Sequence, residues 1–328
     1  MPLLLTSRVE QWPLERPFRI SRGVKTVAEV VTVEIRDGDT VGRGEAVPYA
    51  RYGETPASVL AQIEALAPAF EGAVPRDDLA RLLPAGAARN AVDCALWDLQ
   101  AAQGGTSVAR LIGRGEPGAV VTALTVGLDA PEVMGAAAAK IADARLIKVK
   151  VDANDPSSAL KAVRDAAPEA QLIVDPNESW TMALLERLQP LLEELKIAFV
   201  EQPLPSGADS ELQGFAPRVP VCADESCHTA DDLDLLAGRY GMVNIKLDKT
   251  GGLTGALELL AAARARDFAV MVGCMICTSL SIVPALHVAA EADFADLDGP
   301  LWLANDRIGG VQASGGLLLP PAPGFWGG

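Results

Sequence analysis

Acidic side chains end several consecutive apolar runs of the chain. Asp175, Glu201 and Asp224 each close such a run, at intervals of roughly 25 residues, which is about one βα unit of a barrel. Three carboxylates meeting in a partly dry pocket would repel one another, and their pKa values would rise unless a cation held them. Ligation by oxygen alone, without Cys or His nearby, selects a hard ion. We therefore expect a Mg²⁺ site, although any one of these acids alone could be an ordinary residue at a strand end.

Lysines close other runs of the same pattern. Lys148 and Lys150 flank Val149, so on a strand both side chains point to the same face. If that face is a pocket, mutual repulsion lowers the pKa of both, and one can act as a general base near neutral pH. Lys246 ends a run four strands further on, which places it across the pocket. Two opposed bases predict removal and return of a proton alpha to a carboxylate; solvated lysines are the ordinary alternative.

A scaffold must bring these strand ends together. From residue 120 onward, short apolar runs alternate with amphipathic, Ala- and Leu-rich helical segments, the βα texture of a parallel sheet. Eight such units predict a TIM-type barrel, whose active site lies at the carboxyl ends of its strands. The alternative is a doubly wound sheet, but no GxGxxG opens a helix after a first strand. The expected strands are 120–126, 146–150, 171–175, 198–201, 220–224, 242–246, 269–273 and 294–298.

The first third of the chain has a different pattern. Alternating stretches at 26–36 and 41–46 surround a hairpin signal at 37–39, and helical periodicity follows at 56–70 and 87–102. This α+β segment could supply a lid that excludes water from the pocket. The expected organisation is a capping domain at 1–118, a catalytic (β/α) barrel at 119–300, and a C-terminal segment at 301–328 that packs back on the capping domain.

Charge and cysteine content limit the classes of function. A net charge of -15 argues against binding to nucleic acid or to anionic membranes, so a small-molecule substrate is expected. No apolar run is long enough to span a bilayer, and the five scattered cysteines suggest reduced thiols and a cytoplasmic location. Cys274 and Cys277 have the spacing of a redox or zinc pair, but no second such pair accompanies them, and a buried strand end is the simpler interpretation.

Taken in order, the motifs resemble the muconate-lactonising subgroup of the enolase superfamily. The resemblance covers nearly the whole chain and rests on ALWD at 95–98, LIKVK at 146–150, IVDPN at 173–177, VEQPL at 200–204, CADES at 222–226 and NIKLDKTGG at 244–252. It implies that Asp175, Glu201 and Asp224 bind Mg²⁺ and that Lys150 and Lys246 form the acid/base pair. It also implies that Lys148 assists carboxylate binding and tunes Lys150.

Narrower matches resemble dipeptide epimerases that act on L-Ala-D/L-Glu. They are RYGE at 51–54, GCM at 273–275, which includes Cys274, and ADLDGP at 295–300. In that group the acids corresponding to Asp296 and Asp298 hold the free α-amino end of the substrate; a turn at the Asp-Gly step is the ordinary alternative. Arg22 resembles the arginine that receives the glutamate side chain, with Lys25 as its competitor. Thr125, at the end of strand one, is expected to touch substrate.

Other functions stay open at this point. The same lysines and metal would serve N-succinylamino-acid racemisation, o-succinylbenzoate synthesis or cycloisomerisation, none of which should need two acids for a free amine. A non-catalytic barrel that uses its mouth for binding is a different class, but a binder has no need of opposed bases. Peptidoglycan recycling is implied by the resemblance alone, and the sequence leaves open whether the chain forms a homo-oligomer.

Overall fold

An antiparallel sheet and a group of helices form the N-terminal part of the computed structural model, which describes residues 3–70 and 76–328. The strands β1 (Leu4–Ile20), β2 (Gly23–Asp37) and β3 (Thr40–Ala46) lie side by side in chain order. The predicted hairpin at 37–39 joins β2 to β3, and Gly38 supplies the left-handed backbone that its turn needs (φ 58°). The long edge strand β1 was not predicted.

Helices cover one face of this sheet. A Cβ atom on Gly42 or Gly44 of β3 would collide with the backbone of the helix at Ala87–Gly104, so these glycines allow the close approach of helix and strand. The predicted helix at 56–70 was wrong in its continuity: one helix ends at Glu64 and a second begins at Ala67, because the ring of Pro68 fits the first turn of a helix but not its interior. The helices are α1 (Pro56–Glu64), α2 (Ala67–Phe70), α3 (Leu79–Leu82), α4 (Ala87–Gly104) and α5 (Val108–Leu111).

Residues 124–296 form a parallel eight-stranded barrel surrounded by helices, as predicted. Neighbouring strands follow chain order, and Ala123 N donates to Ala295 O (2.8 Å), which links the two ends of the sheet. The strands are β5 (Leu124–Val126), β6 (Leu146–Lys150), β7 (Gln171–Asp175), β8 (Ile197–Glu201), β9 (Val221–Ala223), β10 (Met242–Ile245), β11 (Ala269–Gly273) and β12 (Phe294–Asp296). The helices are α6 (Pro131–Ala139), α7 (Pro156–Ala166), α8 (Met182–Glu194), α9 (Leu233–Leu236), α10 (Leu247–Thr250), α11 (Leu253–Arg264) and α12 (Ser279–Ala289).

The predicted first strand at 120–126 was wrong, since two sheets share it. Its first part, β4 (Val120–Val121), pairs with the C-terminal hairpin of β13 (Gln312–Ser314) and β14 (Leu317–Leu319). Only β5 belongs to the barrel. Thr122 N donates to Gly316 O (2.8 Å), which directs the chain toward the hairpin before it enters the barrel.

The C-terminal segment also contacts the N-terminal part. Trp326 Nε1 donates to Arg43 O (2.9 Å), and Gly327 N donates to Asp98 Oδ1 (2.6 Å). Val108 N donates in turn to Gly327 O (2.8 Å). The domain boundaries after residues 118 and 300 stay a prediction. Within residues 3–70 and 76–328, none of the helices combines the length and the apolar character that crossing a membrane requires.

Below the mouth, the barrel interior is filled. Large apolar side chains from successive strands, including Ile173, Phe199, Met242 and Met271, are buried together there. Because side chains alternate along a strand, the next inward positions lie at the carboxyl ends. Polar side chains gather at that end of the barrel, beside loops of the N-terminal part.

Candidate active site

A cavity of about 460 Å³ lies at the carboxyl ends of the barrel strands, between the barrel and the N-terminal loops. It brings together most of the residues that the sequence singled out. Its lining includes Arg22, Lys25, Thr125, Lys148, Lys150, Lys246, Cys274, Asp296 and Asp298. The three predicted metal ligands, Asp175, Glu201 and Asp224, lie behind the lysines and are buried.

Two of the lysines face each other across this cavity, each paired with a different carboxylate. Lys150 at the end of β6 lies 2.5 Å from Asp175 Oδ2. Lys246, which follows β10, lies 2.6 Å from Asp224 Oδ2. Because β6 and β10 are four strands apart in an eight-stranded barrel, the two ammonium groups approach the cavity from opposite sides. This is the arrangement that proton removal on one face and return on the other requires.

Lys148 lies at the centre of the acidic cluster. Its Nζ is 2.7 Å from Glu201 Oε2, 2.8 Å from Asp296 Oδ2 and 3.1 Å from Asp175 Oδ2. Burial alone would lower the pKa of Lys148, but the charges of Asp296, Glu201 and Asp175 outweigh burial and hold that pKa well above its usual value. The prediction that repulsion between neighbouring lysines lowers this pKa was therefore wrong, because carboxylates surround the ammonium group.

The pKa of Lys246 is raised in the same way, and the pKa of its partner Asp224 is lowered. Burial lowers the pKa of Lys246, but the charges of Asp224 and Glu201 hold it well above its usual value. Burial raises the pKa of Asp224, yet Lys246 and Lys249 together hold it well below. The Lys246–Asp224 pair therefore favours the charged forms of both partners.

Lys249 and Asn244 donate hydrogen bonds to two of these acids, Asp224 and Glu201, and the sequence analysis did not identify either residue. Lys249 Nζ donates to Asp224 Oδ1 (2.7 Å), to Asp224 O (2.6 Å) and to Asn244 O (2.8 Å). Asn244 Nδ2 donates to Glu201 Oε1 (2.9 Å). Both residues lie in the NIKLDKTGG run. The signal there was the lysine three residues after Lys246, which needs an acidic partner if it is buried.

The acids form a donor set that fits a hard divalent cation. No three Asp, Glu, His or Cys side chains of the described residues already converge as a metal cage, because lysines hold the carboxylate oxygens. Glu201 Oε2 is nevertheless buried without a hydrogen bond from the described residues, since Lys148 approaches it at an unfavourable angle. Burial, with the charge of Asp175, raises the pKa of Glu201 to about 7. A cation bound by Asp175, Glu201 and Asp224 would relieve this cost.

Asp296 ends β12 and Asp298 follows that strand, and both acids line a further wall of the cavity. Asp298 Oδ2 accepts hydrogen bonds from Thr125 N (2.8 Å) and from Trp302 Nε1 (3.2 Å), which fix its orientation. Burial and the charge of Asp296 raise the pKa of Asp298 to about 6. Asp296 Oδ1 is buried without a hydrogen-bond partner among the described residues. Asp296 Oδ2 is already held by Lys148 (2.8 Å), whereas Asp298 has no charged partner among the described residues, and an acid in that position suits a cationic group of a ligand.

Arg22 reaches the cavity from the turn between β1 and β2 and is held by acids of the barrel. It lies 2.9 Å from Glu178 and 2.7 Å from Glu225, and it donates to Tyr49 Oη (3.0 Å). Arg51 binds Glu178 through two nitrogens at 2.7 Å each. These ion pairs connect two loops of the N-terminal part to the barrel mouth. Among the described residues, Lys25 has no carboxylate partner, and it lies 5.2 Å from the ring centre of Tyr49.

Two family models match the chain. Residues 4–113 match "Mandelate racemase / muconate lactonizing enzyme, N-terminal domain", and residues 133–325 match "Enolase C-terminal domain-like". An L-Ala-D/L-Glu epimerase of Escherichia coli is 50% identical over 94% of this chain and 97% of its own length. An N-acetyl-D-glutamate racemase of a Pseudoalteromonas species is 42% identical over 91% of this chain and 95% of its own length.

Solved structures extend the similarity to bound ligands. An enolase family member from Agrobacterium tumefaciens, with bound sodium and L-Ala-L-Glu, has a TM-score of 0.97 at 47% identity and covers 99% of this chain and 100% of its own. A dipeptide epimerase from Enterococcus faecalis, complexed with Mg and L-Leu-L-Tyr, has a TM-score of 0.91 at 29% identity over 98% of each chain.

Proposed function

The chain belongs to the mandelate racemase/muconate lactonizing enzyme family of the enolase superfamily and is an isomerase, and from that premise we propose that it epimerises dipeptides. L-Ala-D/L-Glu is the proposed substrate, with inversion at the α-carbon of its second residue. The observation that carries the proposal is the pair of lysines that face one cavity from opposite strands, with two buried acids on a third wall.

The lysines move the proton. Lys150 and Lys246 reach the cavity from opposite sides, so each serves one face of the α-carbon. Lys246 is charged while it pairs with Asp224, but once a bound cation holds that carboxylate, one lysine can be neutral and take the proton while the other, charged, delivers one to the opposite face. A Mg²⁺ ion bound by Asp175, Glu201 and Asp224 would supply positive charge that stabilises the negative charge developing on the substrate carboxylate. Lys148, centred among the acids, adds a further fixed positive charge beside that carboxylate.

The cavity also contains groups for both ends of a dipeptide. Asp296 and Asp298 suit the free α-ammonium group, because a cation would offset the cost of burying Asp298 and would satisfy the buried Oδ1 of Asp296. The cationic groups Arg22 and Lys25 lie at the rim, where the glutamate side-chain carboxylate can reach one of them. Thr125 and Cys274 complete the wall between these ends. A role in peptidoglycan recycling would follow from such a substrate.

Racemisation of an N-acylated amino acid is the second candidate. It is favoured by the similarity to an N-acetyl-D-glutamate racemase. That reaction would use the same lysines and cation, as would N-succinylamino-acid racemisation. An acyl group in place of an ammonium group would, however, leave Asp298 buried without a cationic partner.

Deuterium exchange at the α-carbon tests the proposal. The full-length protein is incubated in D2O and Mg²⁺ with L-Ala-L-Glu, L-Ala-D-Glu or N-acetyl-L-Glu, and exchange and inversion are followed by NMR and chiral chromatography. We expect both dipeptides to exchange and interconvert, and N-acetyl-L-Glu to react much more slowly. Exhaustive chelation should abolish turnover and Mg²⁺ should restore it. Preference for N-acetyl-L-Glu would reject the dipeptide assignment, and full turnover after chelation would reject the metal.

A further inference from the structure

The segment from Cys274 to Cys277, which follows β11, contains a pair of thiols that the proposed reaction does not require. Both sulfurs lie beside Gly299: a Cβ atom placed on that glycine would be 3.1 Å from Cys274 Sγ and 3.1 Å from Cys277 Sγ. The two sulfurs are therefore separated by no more than twice that distance. Side-chain rotation alone can change such a separation by several ångströms, while a disulfide needs about 2 Å between sulfurs.

The two thiols differ in access. Cys274 lines the active-site cavity and is partly exposed, whereas Cys277 is completely buried. Burial, together with the nearby Cys274 thiol, raises the pKa of the Cys277 thiol well above its usual value. The thiol that meets a dissolved oxidant first is therefore the one that the cavity exposes. The other three cysteines, Cys94, Cys222 and Cys227, are buried in other parts of the fold.

We propose that Cys274 and Cys277 are a redox modification site, at which a peroxide produces a reversible disulfide. Cys274 sulfur attacks one oxygen of H2O2, so that the O–O bond breaks, cysteine sulfenic acid forms and one water leaves. Cys277 sulfur then attacks Cys274 sulfur, the S–O bond breaks, and the hydroxyl leaves as a second water with the Cys277 proton. Two thiols are oxidised and one peroxide is reduced to two waters. A dithiol reductant reverses the change by thiol–disulfide exchange.

The position of the pair connects oxidation to the cavity. Cys274 forms part of the cavity wall, and Gly299, which both sulfurs approach, directly follows Asp298. On the other side, Thr278 follows Cys277, and its backbone N–H donates to Glu45 of β3 (2.8 Å). A disulfide would turn Cys274 away from the cavity and shift the wall that carries Asp298. This effect on turnover rests on the proposed function, whereas the disulfide itself does not.

Covalent chemistry gives a test that is independent of activity. The full-length protein is treated with H2O2, its remaining thiols are alkylated, and it is digested without reduction. We expect a peptide containing both Cys274 and Cys277 that is lighter than its reduced form by two hydrogen atoms and carries no alkyl group, and dithiothreitol should reverse this. Persistent sulfinic acid at Cys274, or alkylation of both thiols after peroxide treatment, would overturn the proposal.

Activity provides the second readout. Oxidation should lower kcat/KM for L-Ala-L-Glu by about 10- to 100-fold, as expected for a displacement of about 1 Å at an active-site wall, and dithiothreitol should restore it. Cys277→Ala should lose this reversible inhibition, while the matched control Cys227→Ala, which removes another buried thiol, should keep it. If the disulfide forms and kcat/KM is unchanged, the link to turnover is wrong. If Cys277→Ala does not fold, the mass analysis of the unsubstituted protein still decides the disulfide.

Discussion

At the scale of single residues, the central feature is that each proposed base is paired with its own carboxylate. Lys150 is held by Asp175, and Lys246 is held by Asp224, from strands four positions apart. The two lysines therefore keep separate positions and cannot substitute for each other. This separation makes the stereochemistry of exchange a sharp test of their roles.

Replacing either lysine should separate exchange from inversion. Lys246→Ala should still wash deuterium into L-Ala-D-Glu through Lys150, and Lys150→Ala should do so only with L-Ala-L-Glu, because each base serves one face of the carbon. Both variants should lose epimerisation, since inversion needs one group to abstract and the other to deliver. NMR in D2O measures exchange and chiral chromatography measures inversion. Appreciable interconversion by a variant with one of these lysines would contradict the two-base interpretation.

Asp298 offers a test of substrate specificity. If it binds the substrate ammonium group, Asp298→Asn should raise KM for L-Ala-L-Glu by about 10- to 100-fold, the loss of one charge-assisted hydrogen bond. The pKa of Asp298 is raised to about 6, so its carboxyl group is neutral below that pH. The difference in KM between the variant and the unsubstituted protein should therefore shrink as pH falls through about 6. A difference that is constant from pH 5 to 8 would contradict the role.

Residue positions in this site were predictable to different degrees. Acids and lysines at strand ends could be placed together from spacing, because parallel strands of a barrel end on one face. The partners of Arg22 could not, since Glu178 lies in a loop whose backbone is left-handed (φ 66°), a conformation that no local pattern indicates. Sequence alone also could not show that carboxylates, and not a second lysine, determine the pKa of Lys148.

At the scale of elements, the period of apolar residues identified the barrel strands, but it did not show which part of an apolar run pairs with which sheet. The strands at 146–150, 171–175 and 269–273 have the bounds that the pattern predicted. The stretch at 120–126 has the same apolar texture but serves two sheets, because β14, the partner of its first part, lies about 200 residues further along the chain. β1 escaped prediction because Pro13 and Pro17 interrupt its alternation, where the pairing with β2 shifts register.

Helix α12 has a titratable group that should affect stability. His287 is 6% exposed, and burial, despite the opposing charge of Glu116, lowers its pKa to about 4. Between pH 6.5 and 4 the unfolded chain binds a proton at this site that the folded chain does not, so His287 lowers stability as pH falls. Through His287 alone, the free energy of unfolding should be about 3 kcal/mol lower at pH 4 than above pH 6.5.

The difference between His287→Leu and the unsubstituted protein isolates this effect from other groups. Urea unfolding at several pH values should show the variant gaining about 3 kcal/mol relative to the unsubstituted protein between pH 7 and pH 4. A leucine side chain can occupy the space of the His287 ring beside Trp326. Any change in packing should therefore shift the free energy of unfolding of the variant by the same amount at every pH. Parallel stability curves for the two proteins would show that His287 does not titrate differently on folding.

At the scale of the whole molecule, a buried polar cluster joins the N-terminal sheet, the barrel and the C-terminal segment. Glu45 of β3 is completely buried and accepts from Thr278 N (2.8 Å) at the start of α12 and from Arg307 Nη2 (2.8 Å). Arg307 also donates to Glu10 of β1. Because Thr278 follows the Cys274–Cys277 segment, this cluster connects the packing of three parts of the chain to one wall of the cavity.

Removing one partner of this cluster should be more harmful than removing both. Arg307→Met should lower the free energy of unfolding by about 3–5 kcal/mol, because it leaves the Glu45 carboxylate buried without a compensating charge. Glu45→Gln together with Arg307→Met should cost less than Arg307→Met alone, since a neutral amide can still accept from Thr278. Urea unfolding of both variants and of Glu45→Gln completes a double-mutant cycle, with KM and kcat for L-Ala-L-Glu measured in parallel. Strictly additive losses would show that Glu45 and Arg307 act independently, and that the three parts of the chain are held together by apolar packing instead.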